Sequence, residues 1–418
     1  MRQHRSRALV VSAAITLLLG LASATLPHPA TADESVFVTG LEGGADPSAQ
    51  ETILYVWTRD ADGKETDALT VVDVDPESPS FGKILYMAPT GSSANEAHHF
   101  GYTASANRIF GGGLFSNKLF IYDLEADPRR PQLLRVVDLD ATGYSGPHAL
   151  YAVPGGVMLA MLGGVGGGGP AGLVQVDDDG QFVAAWPQAG HAGAPDFMDD
   201  VGVKPKMNRM ITSAWVHPEH AKHAGGPPPG SEGNEVVVWD WQNKKILQVE
   251  RLDVAPAAVR WLHGDEARGG FINCLTGNSV WYWEDDDSDG RIAFHRVIET
   301  GEETGPADLR ISYDNRFLYV SLWASGAVQQ YDISDPFQPK LIDGIQLPQP
   351  NMMKLSPDSK RLYVSNSLLS AVDGDVRFEA WLLHVGPDGM RIDPRFHPDF
   401  DGYSPNGPAG PHDMLLKR

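Results

Sequence analysis

The chain has 418 residues, with 33 Lys and Arg against 54 Asp and Glu, a formal charge of −21 and a single cysteine, Cys274. Charge of that sign repels phosphate backbones and anionic lipid, so nucleic acid and membrane surfaces are excluded as partners. One cysteine allows neither an intramolecular disulfide nor a thiolate metal cluster.

Met1 to Ala32 has the plan of a cleaved secretory signal peptide. Arg2, Arg5 and Arg7 form a positive start, Ala8 to Leu21 an apolar run, and Ala30-Thr31-Ala32 a small-residue cleavage site. The run is too short and too mild to anchor the protein in a membrane, and Arg5-Ser6-Arg7 is not a twin-arginine pair, which favours a Sec route over Tat. The expectation is a periplasmic mature protein of residues 33–418, whose formal charge moves from −21 to −24 with the loss of the three arginines.

From there one motif recurs. Ile53-Leu54-Tyr55-Val56 leads to Leu69-Thr70-Val71-Val72-Asp73, Asn107-Arg108-Ile109-Phe110 to Leu119-Phe120-Ile121-Tyr122-Asp123, and Gly156-Val157-Met158-Leu159 to Leu173-Val174-Gln175-Val176. Asn208-Arg209-Met210-Ile211 leads to Glu235-Val236-Val237-Val238-Trp239-Asp240, and Gly270-Phe271-Ile272 to Val280-Trp281-Tyr282-Trp283. The clearest copies, Asp314-Asn315-Arg316-Phe317-Leu318-Tyr319-Val320-Ser321 and Asp358-Ser359-Lys360-Arg361-Leu362-Tyr363-Val364-Ser365, stand 44 residues apart. Alternating apolar and β-branched runs without helical period, in seven units of roughly 55 residues, predict an all-β fold: a single seven-bladed β-propeller with a metal site in its central channel.

Three stretches interrupt the rhythm. Leu162 to Pro170 contains GxGxxG spacing at Gly164, Gly166 and Gly169, but Pro170 and a strand follow where a phosphate cradle needs a helix, so a flexible loop is expected. His217 to Glu232 carries His217, His220 and His223 among prolines and glycines and reads as a mobile surface loop. Asp285 to Gly290 resembles the opening of a calcium loop, but its twelfth position is Arg296 where a bidentate Glu is needed, so a solvated hairpin is expected.

The innermost strand of each blade lines a common channel, so residues at one offset before each recognisable second strand converge on the axis. Counting back about ten residues reaches His98 to Tyr102, His148, Asp199 and Asp200, His263, Asp308, and Met352 to Met353. The tail adds Pro411-His412, which echoes Pro147-His148 and is placed to close the ring. A lone histidine in a β protein is ordinarily a structural hydrogen-bonding residue; the shared phase argues for more. His98, His99, His148 and His412 are the candidate metal ligands, with His263 next. Asp199 and Asp308 are candidate carboxylates for orienting imidazoles or accepting a proton. All-imidazole coordination suits copper, zinc, iron or nickel. Of the two that lead, zinc implies hydrolysis and copper implies redox chemistry with oxygen, and the spacing does not choose. Successive residues of a regular strand face opposite ways, so His98 and His99 can share one metal only from a loop or bulge.

The residues also resemble a family. Asp67 to Pro76, His98-His99, Val238-Trp239-Asp240-Trp241-Gln242, Arg260-Trp261-Leu262-His263, Gln330-Tyr331-Asp332-Ile333-Ser334-Asp335-Pro336, Lys360-Arg361-Leu362-Tyr363 and His412-Asp413 are similar, in order, to the selenium-binding protein family, whose bacterial members are methanethiol oxidases. The resemblance implies a propeller that uses a copper ion, with zinc the lesser alternative, to oxidise methanethiol with oxygen and water to formaldehyde, hydrogen sulfide and hydrogen peroxide. It implies His98, His99, His148 and His412 as the copper ligands. Val56 stands where the animal proteins carry a cysteine implicated in selenium binding, so no selenium attachment is expected there, and Cys274 reads as core. The rival expectations are a non-enzymatic periplasmic metal-binding or partner-binding propeller and a zinc-dependent lactone hydrolase.

Overall fold

The repeated Asp-Asn-Arg and Asp-Ser-Lys triplets are turns. Asp314 Oδ1 accepts the Arg316 N–H and Asp358 Oδ1 the Lys360 N–H, each at 3.1 Å, and Ser312 and Ser356 donate to the same oxygens at 2.5 and 2.6 Å. Between them Asn315 and Ser359 take φ of 57° and 58°, a left-handed conformation that short polar side chains stabilise locally. Each turn returns the chain antiparallel to the run it has just left.

The computed structural model describes residues 50–191, 193–285, 290–402 and 407–417; the leader, residues 1–32, and most of the calcium-like stretch lie outside them. The described strands form seven four-stranded antiparallel sheets, the blades of a β-propeller. The innermost strands, Ala409–Lys417, Ala97–Tyr102, Tyr144–Val153, Val201–Lys204, Pro256–Trp261, Pro306–Ile311 and Met353–Leu355 for blades 1 to 7, touch in ring order. Blade 1 joins the two ends of the chain: Ala409–Lys417 pairs antiparallel with Ile53–Asp60, from Ile53 opposite Lys417 to Asp60 opposite Ala409. That pairing closes the ring and covers a strand edge that would otherwise be open.

Alternate side chains of each strand pack between neighbouring blades. Between blades 1 and 2, for example, Tyr55, Trp57, Phe100, Tyr102, Phe120 and Tyr122 form one buried aromatic cluster, each large side chain contributing about 1.5–3 kcal/mol by burial. Cys274 belongs to such a cluster, and burial pushes its thiol up to about 12, which makes it inert. Among the described residues no helix is long and apolar enough to cross a membrane.

Two stretches expected as loose loops are packed. Val216 bridges to Glu232, the short helix Pro218–Ala221 follows, and Trp215, Val216 and Ala221 are buried with Leu114, Leu162, Ala255 and Leu369. The segment runs on to blade 7, where Gly225 N–H donates to the Ala371 carbonyl at 2.9 Å. The glycine run lies against this helix: a Cβ on Gly163 would stand 2.8 Å from Pro218 Cδ, and Glu219 N–H donates to Gly167 O at 3.0 Å. Burial of its small apolar residues makes His217 to Glu232 a cap over one mouth of the channel, a role its polar and Pro-rich composition conceals.

Candidate metal centre

Strand pairing slips at the same level in every blade. His98 and His99 together face Gly112, between the pairs Ala97 with Gly113 and Phe100 with Gly111. His148-Ala149 face Ala160, His412-Asp413 face Trp57, and Ala257-Ala258 face Asn273. In blade 6 Ala307-Asp308 stand against Ser321. In blades 4 and 7 the pairs just before the strand, Asp199-Asp200 and Asn351-Met352, straddle Ser213 and Ser365 through paired backbone hydrogen bonds of 2.7–3.1 Å. Two residues against one is a β-bulge, which re-aims side chains out of strand alternation. Seven such dipeptides therefore ring the channel, and all seven contribute side chains to one layer.

The bulge meets the geometric demand set by the adjacent histidines. His98 and His412 rings stack at 3.7 Å and 22°, His99 lies 4.4 Å from His148 and 4.9 Å from His412, and His98 Nε2 lies 3.0 Å from His148 Nε2. Ligand atoms of His98, His99 and His412 fall within 4.8 Å of one another. The outer nitrogens are anchored. His99 Nδ1 faces Asp413 Oδ2 at 3.2 Å, His148 Nδ1 donates to the Asp199 carbonyl at 3.0 Å, and His412 Nδ1 donates to the Ser367 carbonyl at 2.7 Å. Anchoring one ring nitrogen leaves the other with its lone pair turned inward, the arrangement that outer partners impose on metal-binding histidines.

Charge and burial agree with that arrangement. Burial, reinforced by the neighbouring rings, holds His98 and His148 well below the ordinary histidine value. Burial pushes His99 and His412 down to about 3, with Arg260 and Arg310 adding to it at His99 and His99 itself adding to it at His412. All four are neutral at pH 7, as ligands must be. His98 Nδ1 and His412 Nε2 are buried without a hydrogen-bond partner, at a cost of about 1–3 kcal/mol each that a cation would recover. Four neutral imidazoles with two orphaned nitrogens fit a soft or borderline transition ion, copper or zinc.

The cluster forms one wall of a cavity of about 50 Å³, room for a few waters or a molecule of two or three heavy atoms. Ala257, Ala258 and Ala307 line the opposite wall, and Trp215, Leu275 and Leu368 roof it; the Trp215 ring lies 6.1 Å from His148. Asp199 lines the cavity with Oδ1 3.3 Å from His148 Nε2, and burial, with Asp200 beside it, pushes its carboxyl well up.

Two candidates are corrected. His263 lies beyond the end of Pro256–Trp261, in a second small cavity with Arg260, Arg310 and Tyr313, where Nε2 lies 3.1 Å from the Ile311 carbonyl and the ring stacks on Tyr313 at 4.4 Å. The first turn of blade 5 is longer than that of blade 6, so counting back falls short, in the turn, and the equivalent bulge is Ala257-Ala258. Asp308 is occupied structurally: Oδ1 accepts from Arg260 at 2.9 Å and Arg310 at 2.8 Å, and Oδ2 from Met353 N–H at 2.9 Å. That leaves it no role as a proton acceptor. Sequence reasoning missed Asp413, whose signal was its place beside His412, and Trp215, which had none.

A family model, the 56 kDa selenium binding protein, matches residues 41–349. A methanethiol oxidase of Hyphomicrobium sp is 30% identical over 88% of this chain and 86% of the relative. A methanethiol oxidase of Mus musculus is 27% identical over 90% of this chain and 95% of the relative. The X-ray structure of a hypothetical selenium-binding protein from Sulfolobus tokodaii superposes with a TM-score of 0.81 at 26% identity, covering 89% of this chain and 95% of that one.

Proposed function

The chain belongs to the 56 kDa selenium-binding protein family, and we propose that it is a periplasmic, copper-dependent methanethiol oxidase that converts methanethiol, oxygen and water to formaldehyde, hydrogen sulfide and hydrogen peroxide. The observation that carries this reading is the meeting of four neutral imidazoles, two with orphaned nitrogens, on one wall of a cavity sized for a one-carbon thiol. Residues 1–32 act in it as the cleaved leader, and residues 33–418 as the catalytic propeller.

His98, His99, His148 and His412 would hold the copper, and Asp413 and the Asp199 and Ser367 carbonyls keep His99, His148 and His412 aimed. Copper bound there supplies redox chemistry and favours the substrate as thiolate. The imidazoles carry no charge of their own, so the ion's positive charge is left for the sulfur. Ala257, Ala258 and Ala307 take the methyl group, and Trp215, Leu275 and Leu368 keep bulk water out. Asp199, the carboxyl that lines the cavity beside His148, is placed to take the proton released from the methyl carbon.

Elemental analysis of the purified protein, paired with oxygen uptake on methanethiol, tests the reading. Copper near one equivalent, with formaldehyde, sulfide and peroxide formed in step with oxygen consumed, is expected. A protein that purifies without copper and consumes no oxygen with methanethiol or ethanethiol sinks it in favour of a non-enzymatic platform.

A further inference from the structure

The cap carries a second convergence of donor atoms that the proposed reaction does not use. His217, Glu219 and His220 each offer a ligand atom, and these lie within 4.8 Å of one another. The segment is held on every side. His217 stacks on Phe197 at 4.4 Å and 11°, and its Nε2 donates to the Asp196 carbonyl at 2.9 Å, which leaves the Nδ1 lone pair free to ligate. Glu219 is pinned through its own N–H on Gly167 O at 3.0 Å. His220 follows three residues after His217, so the two rings rise on one side of the turn, near parallel and 6.1 Å apart. Pro218 and Ala221 take the buried side. His220 Nδ1 is shielded from solvent and makes no hydrogen bond, and its Nε2 stands 3.9 Å from Glu219 Oε1.

Two imidazoles with carboxylate oxygen, in a strongly acidic chain, form a donor set for a borderline divalent ion and not for magnesium or calcium, which take oxygen throughout. We propose that His217, Glu219 and His220 form a second metal site, on the outer side of the cap, for a divalent ion of the zinc and copper(II) class. Its independence from the channel cluster is part of the inference: the cap site needs none of His98, His99, His148 or His412.

Zinc titration of the full chain, with bound metal counted after desalting, tests it. In an H98A/H148A background, which disables the channel cluster, one zinc equivalent is expected to remain. Adding H217A and H220A is expected to abolish it without lowering the melting temperature of the metal-free protein. The milder E219Q, which preserves volume, is expected to weaken it about tenfold or more. Retention of that equivalent after H217A/H220A, or no zinc at all in the H98A/H148A background, overturns the cap site. A chain that binds zinc at the cap but no copper in the channel keeps this inference and loses the oxidase reading.

Discussion

One bulge, repeated around the inner rim, is filled in two ways. On blades 1, 2 and 3 its first residue is His412, His98 or His148; on blades 5 and 6 it is Ala257 or Ala307. The backbone device is the same, so the contrast lies in the side chains. The histidine arc leaves two buried nitrogens unsatisfied, a state that a bound ion would relieve. The alanine arc puts no polar side chain of its own at that position and leaves space. The histidine arc is also where the ends of the chain meet: His99 and Asp413, 314 positions apart, touch at 3.2 Å. The propeller thus supplies equivalent sockets, and side-chain choice divides them into an arc suited to an ion and an arc suited to a small apolar group.

The comparison is broken most directly by H98A, which removes a ring that touches all three of the others and stacks on His412. Copper content is expected to become substoichiometric and oxygen uptake with methanethiol to fall about 100-fold or more; full copper and full activity would show that the arc is not the site. D308N probes the buried network below the rim. Removing the carboxylate between Arg260 and Arg310 is expected to cost about 3–5 kcal/mol by denaturant unfolding, while activity per folded molecule falls far less than in H98A. A collapse of turnover at unchanged stability would restore Asp308 as a proton acceptor. D413N releases the anchor of His99 and is expected to weaken copper about 10–100-fold in a chelator competition. On the other arc, A257V fills the methyl wall, and kcat/KM for methanethiol is expected to drop about tenfold with copper content unchanged.

The smallest effect is in pH. His99 and His412 are pushed down to about 3 from 6.5, so between those values the unfolded chain binds more protons than the folded one. Stability of the metal-free protein from this source rises with pH and is lost as pH falls from 6.5 toward 3. Burial pushes Asp199 and Asp413 up, and these pull the other way, so the imidazole share is read by difference. H412A is expected to lose less of its melting temperature across that window than the wild type, by about 2–4 °C; an equal loss would mean that His412 titrates in the fold as it does in the unfolded chain.

Much of the fold was legible because its signals are local. The turn at Ser312, Asp314 and Asn315 is satisfied within five residues, and alternation along Phe317 to Leu322 needs only its own strand, so seven blades follow from a repeat read in one dimension. The phase that found His98, His148 and His412 follows for the same reason. His263 and Asp308 show where that reading stops. The length of one turn moved His263 out of the ring, and the guanidiniums that occupy Asp308 come from a different blade and from two residues along its own strand.

The amino-acid sequence by itself determined the strands, their number and the histidines in phase with them, since these rest on the chemistry of neighbours in the chain. Only the tertiary structure decided that His98 and His99 face the same way, that Asp413 aims His99, that alanines stand across from them, and that His217 to Glu232 forms a roof. A bulge is a relation between two strands, a cavity wall a relation among seven blades, and a cap a relation between a loop and the surface beneath it. None of these has a counterpart in the order of residues along one strand.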